Sequence, residues 1–299
     1  MKKINILVAG LLLLATAQAQ NVDKLIKEKE VRRIETILAA DDMQGRRTFT
    51  PGIEKAAAFI ADEFKATGLQ TLNNSGSYLQ SFAMVRTKFL GTSGSFDGAA
   101  IDKKDIIVVT TQASISINET SGFEKIIIGK TANLMSEARK LAGLKKNALV
   151  IVDTSFAKTF SGLTRLKSNL FKSDKSVIFV LSATNPTSYS FEAKHEITEM
   201  PLANVVGVLP GKSRPDEIVI FSGHYDHLGI TSKDRNGNVL TDSIFNGAND
   251  DAAGTTAMMV LAKYFKALGN NERTLVFAAF TAEEVGGFGA TYFSNQFDP

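Results

Sequence analysis

Three short polar clusters in the second half of the chain carry the residue types that hydrolytic metal chemistry needs. They are His224-Tyr225-Asp226-His227, Asn249-Asp250-Asp251 and Glu283-Glu284. Imidazoles and carboxylates are ligands of zinc and related ions. Two adjacent glutamates in a cleft can divide labour: one binds a metal, and the other takes a proton, as general base, from a water the metal acidifies. His224 can ligate through a ring nitrogen, with Asp226 close enough to fix the tautomer of that ring. Each cluster also has a plainer reading. A His-x-Asp can be a surface turn, and paired glutamates after a strand are usually a solvated turn. The Asp pair can simply meet the positive end of a helix, where Asn249 alone would suffice as the cap. Gly223 before His224, and Gly247 and Gly254 around the Asp pair, point to close backbone approaches. All three clusters standing at strand or helix ends favours a single hydrolytic metal site.

The patterns around the clusters say what must position them. Glu217–Ser222 and Thr274–Phe280 read as strands, the second a buried one. Ala252–Leu268 reads as a helix with Met258, Met259, Leu261, Ala262 and Phe265 on one side, methionines that are most simply core packing. His224 follows the first strand, Glu283-Glu284 follows the second, and Asp250-Asp251 precedes the helix. Open α/β sheets form their sites at the carboxyl ends of strands, so these elements can present their polar ends to one crevice. Asn204–Leu209 is a further strand, with Pro210-Gly211 as the turn after it, and Gly286–Asn295 reads as helical. The alternation implies an α/β fold, a mixed β-sheet flanked by helices on both faces.

Upstream, Asn21–Ala40 has helical spacing of Leu25, Ile26, Val31, Ile34, Ile37 and Leu38. Asp41–Arg47 is a polar loop. Thr50-Pro51 starts a second helix, with Ala56, Ala57, Phe59, Ile60 and Phe64 on its apolar face and Gly68 at its end. An extended segment begins at Leu72, and Tyr78–Val85 continues as a strand. From 87 to 199 the texture changes to short β-rich runs, Ile106–Thr110, Lys125–Ile128, Ala148–Val152 and Val177–Leu181, with one helix, Ala132–Ala142. Its lone histidine, His195, lies in an exposed-looking stretch and reads as a solvated surface residue. The expected organisation is a signal peptide over 1–19, a catalytic domain formed by 20–86 and 200–299, and an inserted β-rich domain over 87–199.

Whole-chain features bound the function. The 299 residues allow a sizeable core, and 44% apolar with 22% charged residues is ordinary for a globular protein. A formal charge of +3, with no long run of Lys or Arg, argues against nucleic acid. Lys2 and Lys3, the apolar Ile6–Ala15 and Ala17-Gln18-Ala19 form a secretory signal cleaved after Ala19, with no membrane attachment afterwards. The expected location is secreted or periplasmic, in a bacterium. The chain has no Cys and therefore no disulfides.

The run GHYDHLG, NGANDDAAGTTAMMVLA and TLVFAAFTAEEVGGFGATYF resembles the zinc exopeptidases of the two-zinc aminopeptidase family, of the bacterial leucyl aminopeptidase and glutamate carboxypeptidase type. ADDMQGRRTFTPGIEKAAAFIADEFKATGL resembles the N-terminal segment of the same family, and the middle segment more weakly resembles a protease-associated insert. The resemblance implies two zinc ions and a peptide substrate from which N-terminal residues are removed. It makes His224 a ligand of one zinc, Asp250 the bridge between both, Glu284 a ligand of the second, Glu283 the general base and Asp226 the partner that orients a ligand. It also implies a cis peptide at Asp250-Asp251, and it leaves Asp251 and His227 without a metal-binding role. The remaining Asp and His ligands of that family lie downstream of the glutamate pair, whereas this chain stops at Pro299. On the resemblance the expectation is a fragment, with an incomplete site, the C-terminal part of the sheet missing and an exposed sheet edge. Glutaminyl cyclases share the scaffold but match the double Asp less well, a carboxypeptidase specificity stays open, and a non-catalytic binding module on the same fold is the reading from another class. Oligomeric state and the preferred N-terminal residue are not legible.

Overall fold

The computed structural model describes residues 22–143, 145–233 and 236–296; the signal-peptide expectation falls outside them. The helices are α1 (Val22–Leu25), α2 (Glu28–Leu38), α3 (Pro51–Thr67), α4 (Leu134–Ala142), α5 (Ala253–Leu268) and α6 (Phe288–Ser294). The strands are β1 (Gln70–Thr71), β2 (Leu79–Phe96), β3 (Ala99–Ala100), β4 (Ile106–Thr110), β5 (Ser114–Asn118), β6 (Glu124–Ile128) and β7 (Ala148–Val152). They continue with β8 (Leu170–Phe171), β9 (Ser176–Leu181), β10 (Tyr189–Leu209), β11 (Arg214–His224), β12 (Gly229–Ile230), β13 (Ile244–Phe245) and β14 (Arg273–Phe280). Among the described residues no helix is long and apolar enough to cross a membrane. The chain divides into two compact units, Met1–Ser81 with Ala203–Pro299, and Phe82–Leu202.

In the first unit β11 runs parallel to β14, with Ile220 opposite Val276 and His224 opposite Phe280. On its other side β14 pairs antiparallel with the end of β10, Val205 opposite Ala279 and Leu209 opposite Leu275. The sheet is therefore mixed, as expected. Alternation along these strands sends Val205, Leu209, Leu275, Phe277 and Ala279 to one face. There they pack with Ile34 and Leu38 of α2, Ala56, Ile60 and Phe64 of α3, and Met258, Met259 and Ala262 of α5. Val206, Val276 and Ala278 point to the other face and meet Phe293 of α6. Helices thus cover both faces, and the α5 methionines are core packing. β11 ends the sheet, and Ile218, Val219 and Ile220 are exposed on it.

Two local expectations change. The single helix over Asn21–Ala40 is broken: α1 ends at Leu25 and α2 begins at Glu28, with Lys27 extended between them. Helical periodicity continued through the break because Ile26 and Val31 both reach the same core. In the polar loop Asp41–Arg47, Asp41–Arg46 forms a 3-10 turn in which Gln44, Gly45 and Arg46 take left-handed φ of 52°, 63° and 48°. A Cβ on Gly45 would fall 2.5 Å from the Phe245 carbonyl oxygen, so the turn needs glycine there. α3 begins and ends as expected, with Pro51 in its first turn and Gly68 left-handed after it.

The second unit holds the sheet β4-β9-β7-β6, in which β6, β7 and β9 are parallel and β4 is antiparallel to β9. Its two faces bury separate clusters, one with α4 and one around Phe96, Tyr189 and Phe191. His195 is not a surface residue: it is 4% exposed. β10 alternates strictly from Tyr189 to His195, and Tyr189, Phe191, Ala193 and His195 all face inward. Neither ring nitrogen of His195 has a hydrogen-bond partner. Phe89 meets the ring edge to face at 5.8 Å, and burial, with the Lys167 charge, holds its pKa below the usual imidazole range.

Candidate metal centre

The parallel pairing of β11 with β14 puts two clusters at the same end of adjacent strands. His224 is the last residue of β11 opposite Phe280, and Glu283 and Glu284 lie just past the end of β14. Asp226 ties the two together. It is fully buried, and its carboxylate accepts hydrogen bonds from the Glu283 N–H at 3.0 Å, the Glu284 N–H at 3.2 Å and the Thr48 hydroxyl at 3.1 Å. Its carbonyl oxygen lies 3.1 Å from His224 Nδ1, and a carboxylate oxygen lies 3.8 Å from the same atom. With Nδ1 so engaged, Nε2 is the free ring nitrogen, and it points to Asp250 Oδ1 at 3.0 Å. Asp226 therefore orients the ring of one candidate ligand and holds the backbone of another, Glu284, and of Glu283 beside it.

The third cluster arrives through the turn Ala248–Ala252 that leads into α5, with a cis peptide between Asp250 and Asp251. The two aspartates do different things. Asp251 accepts from the His224 N–H at 3.1 Å and from the Gly254 N–H at 3.0 Å. It therefore caps α5 and fastens that helix to the end of β11. The sequence offered Asn249 as sufficient for a cap; the bond to the Gly254 N–H comes from Asp251 instead. Asp251 also accounts for Gly254, where a Cβ would sit 2.2 Å from the Asp251 carboxylate. Asp250 keeps its carboxylate exposed, with Oδ1 against His224 Nε2.

His227, left without a role by the sequence, belongs to the cluster. It is buried, its Nδ1 lies 2.8 Å from Glu284 Oε1, and one ligand atom each from His227, Asp250 and Glu284 lie within 4.8 Å of one another. The structure thus brings His224, Asp250 and Glu284 to one place: Asp250 touches His224 and stands within metal-ligand range of Glu284 and His227. This donor set of imidazole and carboxylate suits zinc. Glu283 is fixed through its backbone by Asp226, and its side chain is exposed. Burial pulls the His224 pKa down, but the hydrogen bond and charge of Asp226, with Asp251, outweigh it and hold the ring at about 9. The sequence signal for His227 is its place in the cluster; only two residues separate it from His224, and its backbone forms an isolated parallel bridge with Arg47.

Arg46 also went unread. It is fully buried. Its guanidinium donates to the carbonyl oxygens of Tyr225 at 2.8 Å, Asn246 at 2.6 Å and Gly247 at 2.9 Å, and to that of Leu38. Burial lowers its pKa against the fields of Asp226, Asp251 and Asp250. An arginine in a polar stretch carries no sequence signal of such burial.

Residues 204–299 match the family model described as Peptidase family M28. The match falls on the segment that carries the three clusters. A probable zinc metalloprotease of Pyricularia oryzae is 35% identical over 96 residues, 32% of this chain and 18% of that protein. The aminopeptidase NAALADL1 of Rattus norvegicus is 28% identical over 100 residues, 32% of this chain and 11% of that one. The chain thus spans less than a fifth of the length of these relatives. Among solved structures, an aminopeptidase from Aneurinibacillus sp. strain AM-1 aligns over 92% of this chain and 67% of its own, with 14% identity and a TM-score of 0.44. The zinc aminopeptidase BSAP of Bacillus subtilis aligns over 91% and 65%, with 16% identity and a TM-score of 0.44.

Proposed function

We propose, starting from the match of residues 204–299 to peptidase family M28, that this chain carries the catalytic site of a secreted zinc exopeptidase that removes N-terminal residues from peptides. The observation that carries the reading is the shared position of Asp250, 3.0 Å from His224 Nε2 and in ligand range of Glu284 and His227. Asp250, within reach of His224 and of the His227–Glu284 pair, would be the residue shared between them if two ions were held here. His224, Asp250 and Glu284 would hold the zinc, and His227 stands beside Glu284 in the same group. When bound, zinc polarises the scissile carbonyl and makes water a nucleophile near neutral pH.

The chain's own residues supply the rest. Glu283 takes the proton of the attacking water on its carboxylate and gives it to the leaving amine. Asp226 holds the backbone of Glu283 and the ring of His224, so that base and ligand keep a fixed separation. Asp251 holds the α5 end against β11, which keeps Asp250 facing His224. Export rests on the charged, apolar and Ala-x-Ala order of residues 1–19. The test uses the product of the complete gene, assayed for zinc content and for cleavage of aminoacyl p-nitroanilides. Glu283→Gln should keep the zinc and lose kcat by about 100-fold or more, the usual weight of a general base. Zinc-free wild-type protein with no cleavage would instead support a binding module.

A further inference from the structure

We propose that Arg46 is a positioning residue that locks the two loops bearing the candidate ligands against each other before any metal arrives. The inference rests on the metal-peptidase reading for its purpose, but its geometry stands apart from it. Tyr225 lies between His224 and Asp226, and Asn246-Gly247 lies just ahead of Asp250. Arg46 Nε donates to the Tyr225 carbonyl at 2.8 Å, while Nη1 and Nη2 donate to the carbonyls of Asn246 at 2.6 Å and Gly247 at 2.9 Å. One rigid guanidinium plane thus spans both loops, and a further bond to the Leu38 carbonyl anchors it at the end of α2. The backbone of Arg46 adds a fifth link, its carbonyl accepting from the His227 N–H at 3.2 Å.

Three features say that this arrangement is held for the loops. Arg46 sits at a left-handed φ of 48°, a conformation that an L side chain adopts only under constraint, at the end of three consecutive left-handed residues. Its charge is wholly buried, yet these four hydrogen bonds end on backbone carbonyls, so a planar fork of fixed donors is being used as a spacer. Asn246 is also fixed from the same side, its amide donating at 2.7 Å to the Ala39 carbonyl and at 2.7 Å to Asp41. The loop entering the Asp pair is therefore registered on the α2 end, and the His224 loop is registered on the same point. A lysine at 46 keeps the charge but cannot span the acceptors in one plane.

Two measurements test this on the product of the complete gene. The first is hydrogen exchange of the wild-type protein with and without zinc. The amides of residues 225–228 and 246–252 should be protected without metal nearly as well as with it; free exchange that only zinc suppresses would overturn the proposal, whatever the variants do. The second compares Arg46→Lys with wild type below its melting temperature. Zinc affinity should fall by about 10- to 100-fold, the range for residues that orient ligands. The visible spectrum of the cobalt-loaded variant should shift at saturating metal. A role in stability alone would lower the melting temperature and leave the saturated cobalt spectrum and the affinity unchanged, which overturns the proposal. If wild type takes up neither zinc nor cobalt, the metal reading fails, and the metal-free exchange pattern still decides the clamp.

Discussion

Asp226→Asn is the sharpest probe of how the site is built. The Asp226 carboxylate receives three donors, the Glu283 and Glu284 N–H groups on separate oxygens and the Thr48 hydroxyl on the second. An asparagine has the same shape but offers one acceptor atom and one NH2. If its oxygen faces Glu284, the NH2 confronts the Glu283 N–H; if it flips, the NH2 confronts the Glu284 N–H. Thr48 can turn to accept, but a backbone N–H cannot. One donor is therefore left without an acceptor in either orientation. Losing a charge-assisted bond and leaving a part-buried N–H without an acceptor costs about 2–4 kcal/mol together. For a unit of this size each kcal/mol moves the midpoint by about 2–4 °C, so the melting temperature should drop by about 4–16 °C. Thermal unfolding followed by circular dichroism on metal-free protein reads this directly, and activity should fall too because Glu283 and Glu284 lose their fixed backbone. A midpoint within a degree of wild type would refute the reasoning, since it would mean that the Asp226 bonds do not hold these residues.

Other consequences are independent of it. Gly254→Ala should destabilise by about 1–3 kcal/mol in chemical denaturation, although an alanine in a helix ordinarily gains about 1 kcal/mol, because the new Cβ meets the Asp251 carboxylate at 2.2 Å. His195 is neutral in the fold and protonates more readily when unfolded, so the stability of its unit should be constant above about pH 6.5 and decline as pH falls below it. The slope should be at most about 1.4 kcal/mol per pH unit, and it should flatten in His195→Leu. The exposed Ile218, Val219 and Ile220 on edge strand β11 should promote association at high concentration, and Ile220→Lys should shift the light-scattering mass back toward the monomer.

The sequence made the frame of the site readable because its signals are local. Apolar runs ending in His, Asp and Glu located β11, β14 and the start of α5, and parallel pairing then placed two clusters at one end. What escaped depends on contacts distant in sequence. The burial of Arg46 follows from carbonyls contributed by Leu38, Tyr225, Asn246 and Gly247, and nothing within a polar turn announces them. That Asp251 both caps α5 and holds the His224 N–H depends on the turn before α5, which brings it against the end of β11. His195 is a different case. The alternation of Tyr189, Phe191 and Ala193 already marked its face as buried, and the intervening Ser190, Glu192 and Lys194 obscured it.

The central claim is that Asp250 is shared by both halves of one metal centre. Isothermal titration of zinc into the product of the complete gene and into its Asp250→Ala variant tests this most directly. A shared carboxylate predicts two zinc ions for wild type and the loss of tight binding at both positions when Asp250 is removed. Zinc binding in Asp250→Ala that matches wild type in number and affinity would contradict the claim.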